Sequence, residues 1–257
     1  MGIDCLGIDD LGRQVAVPAR VTRVVSLVPS LTETIAVTAP GLLAGATDWC
    51  THPPGLDVTR VGGTKNHDVE RIVRMRPDLV VANFEENREP DLDAMRAAGV
   101  PVWVTVVRTV PEATASLSKL LAACGLAEPA WLHAAAAAWR AAPPAPERTA
   151  VIPIWRRPWM VLGRDTFAGD VLGRLGVANA YGAAAERYPK TTVEEIRLRA
   201  PDLVVLPDEP YAFGADDGPE VFGGLPVALV SGRHLEWYGP SLAEARTVLA
   251  RQLAAAG

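Results

Sequence analysis

Val69-Glu-Arg-Ile-Val-Arg-Met-Arg-Pro77-Asp-Leu-Val-Val-Ala82 is matched without a gap by Val193-Glu-Glu-Ile-Arg-Leu-Arg-Ala-Pro201-Asp-Leu-Val-Val-Leu206. Eight of the fourteen positions are identical, and the copies lie 124 residues apart, about half of the 257-residue chain. Each copy opens with apolar residues at helical spacing (Val69, Ile72, Val73; Val193, Ile196), turns at Pro-Asp, and ends in a continuous apolar run. Such a run suits a parallel strand buried on both faces. Self-similarity at half-chain spacing predicts a duplicated architecture of two similar α/β lobes.

Working outward, Arg23–Val28 reads as a strand, Pro29 to about Ala39 as a helix, Asp91–Gly99 as a helix ending on glycine, and Pro101–Val107 as a strand. Strands alternating with helices predict a parallel sheet. From Val110 to Ala142 the composition is helical, broken at Gly125 and Pro129, and Pro143-Pro-Ala-Pro146 closes it. The second lobe restarts at Thr149–Ile154, reaches Pro226–Ser231, and ends in a helix from about Ser241 to Ala255. The expected organisation is an N-terminal lobe over 1–110, a connecting helical segment over 111–146 and a C-terminal lobe over 147–257.

Composition narrows the function. At 49% hydrophobic and 21% charged, with a net charge of −5, the chain has material for real cores and is neither disordered nor low-complexity. Lys and Arg total 25 against 30 acids and form no block, which argues against nucleic acid. Three cysteines (Cys5, Cys50, Cys124) are too few for a disulfide framework, and no stretch is long and apolar enough for a membrane span. The first ten residues lack the basic and apolar regions of a secretory signal, so the expectation is either a cytosolic chain or one whose signal was removed.

In a two-lobed α/β chain, small molecules bind between lobes, facing strand ends. The loop-like segments there are aromatic: Trp49 in Ala46–Pro54, Trp155 and Trp159 in Ile154–Met160, Trp237 with Tyr238 in His234–Gly239. Tryptophan on loops offers wide stacking area at low entropic cost, which suits a large, flat or apolar ligand. Arg88, Arg156, Arg157 and Arg164 are candidates for bidentate contacts to ligand oxygens. Cys50, His52 and His67 form a weak candidate metal set, since thiolate and imidazole suit zinc, copper or the open position of a chelated metal. No phosphate-binding loop, Gly-x-Ser-x-Gly elbow or His-Glu-x-x-His helix is present, which disfavours an enzyme.

The chain resembles the substrate-binding proteins of ABC importers for cobalamin and ferric siderophores, the helical-backbone metal receptors. The resemblance lies in Asp10–Glu33, Thr47–Pro54, Val61–Glu70, the two Pro-Asp-Leu-Val-Val strands and Tyr188–Glu194. It implies two Rossmann-like α/β lobes joined by a rigid backbone helix, a ligand cleft between them and modest closure. By resemblance the ligand is a metal chelate, a corrinoid ahead of a ferric siderophore or haem, with no cofactor required. The resemblance places Trp49, the Gly62–His67 loop with Lys65 and His67, and Trp155 and Trp159 in that cleft; with Trp237, Arg88, Arg156 and Arg164 from the residue reading, these are the expected ligand contacts. Glu70 and Glu194, at equal places in the repeat, correspond to glutamates that dock onto a permease; first-turn glutamates are also favoured simply by the helix dipole. The expected partners are a small-molecule chelate and, if the chain is exported, an ABC permease, with the protein a monomer. The alternative is a cytosolic ligand- or metal-binding protein, or a repurposed enzyme, on the same fold.

Overall fold

The computed structural model describes residues 5–256. These form two compact units, one of residues 5–106, 112–133 and 238–240, the other of 107–111, 134–237 and 241–256. Each holds a parallel sheet. In the first unit the strand order is Thr59–Arg60, Leu43–Ala46, Val24–Ser26, Leu79–Asn83, Val102–Thr105. In the second it is Val177–Asn179, Arg148–Val151, Leu203–Pro207, Val227–Val230.

The repeat is a structural unit. The helices Val69–Met75 and Val193–Leu198 are followed by the strands Leu79–Asn83 and Leu203–Pro207, every residue of which is buried. Asp68 and Thr192, at equal places, cap the helices by accepting from the backbone N–H of Arg71 and Glu195. Thr192 adds a capping box, its own N–H donating to Glu195. The residue before each proline is left-handed, Arg76 (φ 49°) and Ala200 (φ 46°), which turns the chain out of the helix. The aspartate after each proline then pins the neighbouring strand: Asp78 accepts from Thr22 and Arg23, and Asp202 from Thr149.

Packing of the repeat helix onto its sheet makes each core. Ile72 shares one buried cluster with Val25, Leu27, Val61 and Val80 in the first unit, and Ile196 another with Val151, Val204, Leu206 and Phe222 in the second. Both isoleucines are fully buried, each contributing about 1.5–3 kcal/mol relative to exposure.

Two antiparallel hairpins decorate these frames. Cys5–Ile8 with Gln14–Val17 lies against the first unit, where Gly7 leaves room for the Trp103 ring; a Cβ there would sit 2.6 Å from it. In the second unit Pro153–Arg156 pairs with Trp159–Val161. The stretch read as one strand, Thr149–Ile154, is thus divided between the sheet and this hairpin, and Trp155 and Trp159 stand on strands rather than in a loop.

Residues 110–146 hold the helices Val110–Ala123 and Ala130–Ala138, separated where Gly125 takes φ 72°; residues 112–133 belong to the first unit and those from 134 on to the second. Among the described residues no helix is long and apolar enough to cross a membrane.

Candidate functional site

In each unit the chemistry-bearing loops leave the carboxyl ends of parallel strands, where open α/β sheets take their ligands. In the first unit Trp49 follows Leu43–Ala46, Lys65 lies beyond Thr59–Arg60, and Phe84 directly follows Leu79–Asn83. Trp49 is 68% and Phe84 50% exposed, so both present apolar faces to solvent.

Buried polar groups hold these loops in place. Asn87 accepts from the Asn83 N–H (2.9 Å) and donates to the carbonyls of Leu27 (3.3 Å) and Thr64 (2.9 Å), tying two strand ends and the Lys65 loop together. The Arg60 guanidinium donates to the carbonyls of Thr47, Cys50 and Leu56, shaping the loop that carries Trp49. Gly62 takes φ 88°, and a Cβ on Gly63 would lie 2.2 Å from the Asn66 Oδ1, so the glycine pair lets the Lys65 loop fold tightly beside the Trp49 indole, whose ring nitrogen is 3.4 Å from the same point. Behind them Asn83 donates to the Tyr238 hydroxyl (2.7 Å), which also meets the Thr105 hydroxyl at 2.9 Å.

The second unit presents an aromatic wall. Trp155, 42% exposed, meets Tyr211 edge-on at 5.6 Å, and Trp159 stacks on Phe213 at 6.0 Å with rings 3° from parallel. The Arg156 guanidinium lies 5.7 Å from the Trp159 ring centre and pairs with Asp217 and Glu220, while Tyr211 donates to Asp217 at 2.7 Å. Arg156 is thereby committed to protein carboxylates. Arg164 is exposed beside Asp165 (3.7 Å), and Arg88 beside Asp91 (3.9 Å).

Two expectations are corrected. Trp237 is buried, only 6% exposed, and so offers little open ring face to a ligand. Cys50, His52 and His67 are not grouped: among the described residues no three His, Cys, Asp or Glu side chains are placed to hold an ion. Cys50 is fully buried beneath the helix Pro29–Thr38, its sulfur accepting from Thr32 (3.0 Å) and 3.1 Å from the Thr47 hydroxyl, and burial pushes its thiol pKa up. His67 is turned inward, its Nδ1 3.3 Å from the Thr64 carbonyl, and burial lowers its pKa. It therefore shapes the Lys65 loop from beneath, with none of its side chain at the surface.

Phe84 and Tyr211 were missed by sequence reading, yet each follows a Pro-Asp-Leu-Val-Val strand within a few residues, the signal that would have found them. Glu70 and Glu194 are both exposed on the first turns of the repeat helices, Glu70 paired with Arg74 at 3.2 Å.

No family model matches the sequence. Among curated proteins it is similar to the vitamin B12-binding proteins of Yersinia pestis (26% identical, covering 72% of this chain and 69% of that one) and Pectobacterium atrosepticum (24%, covering 72% and 71%). Among solved structures it is similar to the periplasmic heme-binding protein BhuT in complex with two hemes (25% identical, TM-score 0.74, covering 91% and 98%). The fold is also that of the periplasmic vitamin B12 binding protein BtuF of Vibrio cholerae (19% identical, TM-score 0.76, covering 92% and 98%). In sequence the chain is thus similar to vitamin B12-binding proteins, and it shares with the solved vitamin B12- and heme-binding proteins a fold of two α/β units with parallel sheets.

Proposed function

We propose that the chain binds a metal chelate, a corrinoid ahead of a ferric siderophore or haem, and delivers it to the permease of an ABC importer. The observation that carries the reading is the exposure of the Trp49 and Trp155 indoles at the carboxyl ends of their sheets. Exposed indole costs solvation that stacking on a flat, largely apolar ligand recovers. The corrinoid is preferred because aromatic area outweighs uncommitted positive charge: Arg156 is held by two carboxylates, and Arg88 and Arg164 each lie beside one. The names of the curated relatives support the same order.

Trp49, Lys65, Trp155 and Trp159 are the proposed contacts, with Arg88 and Arg164 available to ligand oxygens at the rim. Glu70 and Glu194 are the proposed docking carboxylates, consistent with their exposure and equal places in the repeat. The reading needs no catalytic group.

The test is titration of the purified protein with cyanocobalamin, haemin and a ferric siderophore, following tryptophan fluorescence. Saturable one-to-one quenching by one of them is expected, cyanocobalamin foremost. A folded protein that responds to none would end the reading.

A further inference from the structure

The two repeat helices differ at exposed positions beside the docking carboxylates: Arg71 donates to the Arg60 carbonyl and Glu195, at the equal place, accepts from Thr191 and Thr192, which leaves the position four residues after each carboxylate as the difference open to a partner. In the first unit Glu70 is followed four residues on by Arg74, whose guanidinium reaches it at 3.2 Å. The equal place in the second copy is Leu198, four residues after Glu194 and 84% exposed. Residues four apart share a helix face. One helix therefore shows solvent an ion pair, and the other a carboxylate beside a bare aliphatic side chain.

The two arginines flanking Leu198 are engaged elsewhere. Arg197 donates to the Val221 carbonyl at 3.0 Å, and the Arg199 guanidinium lies 3.9 Å from the Tyr181 ring centre. A cation approaching Glu194 meets no competitor at position 198, whereas one approaching Glu70 must displace Arg74. Covering Leu198 would also exclude water from the new ion pair and strengthen it.

We propose that Glu194 and Leu198 together form the dominant docking patch, fitted to a permease surface that offers a basic side chain set among apolar ones, and that the Glu70 patch is the weaker of the two. The inference rests on the permease-docking reading above. It makes the two units unequal to the partner, so that a pseudo-symmetric permease can read which unit faces which of its halves.

The experiment is uptake of radiolabelled cyanocobalamin or haemin, whichever binds, by cells of the source organism carrying full-length variants, with ligand affinity measured in parallel. Leu198→Arg supplies the missing ion-pair partner and is expected to lower uptake about tenfold with ligand affinity unchanged. Leu198→Ser, which removes only the apolar contact, lowers it less, and Arg74→Leu, which releases Glu70, raises it. The control is Glu70→Ala with Glu194→Ala. If that pair abolishes uptake while Leu198→Arg transports like the unmodified protein, the inference fails alone. If the pair also transports normally, the docking reading fails and the inference with it.

Discussion

The carboxylate of Asp202 accepts both the backbone N–H (2.7 Å) and the hydroxyl (2.9 Å) of Thr149, fastening the turn after one repeat helix to the start of the neighbouring strand. Asp78 does the same with Thr22 in the first unit, at 2.7 and 2.8 Å. The Pro-Asp pair that punctuates the repeat is therefore a clamp between adjacent strands as well as a turn signal.

The hydrogen bonds from Thr149 hold the Asp202 carboxyl below the usual aspartate range. A depressed folded-state value means that the unfolded chain takes up its proton first, so the clamp's stabilisation is present above pH about 4 and is lost as pH falls below it. Asp202→Asn is expected to lower the thermal midpoint at neutral pH and to leave a shallower loss of stability on acidification. Equal acid limbs in melts of the two proteins from pH 7 to 3 would show that Asp202 contributes nothing to the transition.

The repeat made this clamp findable, because Pro77-Asp78 and Pro201-Asp202 stand at equal places and periodicity told helix from buried strand on either side. The apolar runs at Leu79 and Leu203 could hardly have been other than central strands. The hairpin Pro153–Arg156 with Trp159–Val161 was not legible, because Ile154, Trp155, Trp159 and Met160 read equally well as strand or as aromatic loop. Nor was the inward rotation of Cys50, His67 and Trp237. Their spacing is the same whether they face solvent or core, and only tertiary packing, such as that of Cys50 against Thr32 and His67 against Thr64, decides between the two.

The tryptophans should separate into two classes. Trp49→Ala and Trp155→Ala each remove an exposed stacking face and are expected to weaken chelate binding about tenfold with little change in thermal midpoint. Trp237→Phe, buried, is expected to do the opposite, lowering stability while sparing affinity. Equal affinity losses for all three in fluorescence titrations would dissolve the distinction.

Cys50 and Cys124 should behave as inert core thiols. Burial pushes the Cys124 thiol up to about 12 and raises that of Cys50, so neither is a thiolate at neutral pH. In a Cys5→Ser background, a thiol-specific chromogenic reagent at pH 8 is expected to react with neither until the protein is unfolded, and Cys50→Ala should leave the metal content of purified protein unchanged. Rapid modification of the folded form, or metal lost with Cys50, would restore the thiol as a candidate ligand.

Asn87 should couple the fold to the binding loops. The residue is 7% exposed, and its amide donates to the Leu27 carbonyl after one strand and the Thr64 carbonyl in the Lys65 loop while its oxygen accepts from the Asn83 N–H. Asn87→Asp keeps the shape and the acceptor but sets a carboxyl oxygen against the Leu27 and Thr64 carbonyls, leaving both without this donor. The expected cost is about 2–4 kcal/mol, from two lost hydrogen bonds and a buried charge or its protonation. The loosening should be local: amide exchange should accelerate across Val61–Asp68 and in the Trp49 loop, while the second unit's strand Leu203–Pro207 stays protected. Because Lys65 rides on the released loop and Trp49 packs against Gly63, chelate affinity should fall with it. Uniform acceleration across both units would mean that Asn87 supports the fold at large and has no particular hold on the binding loops.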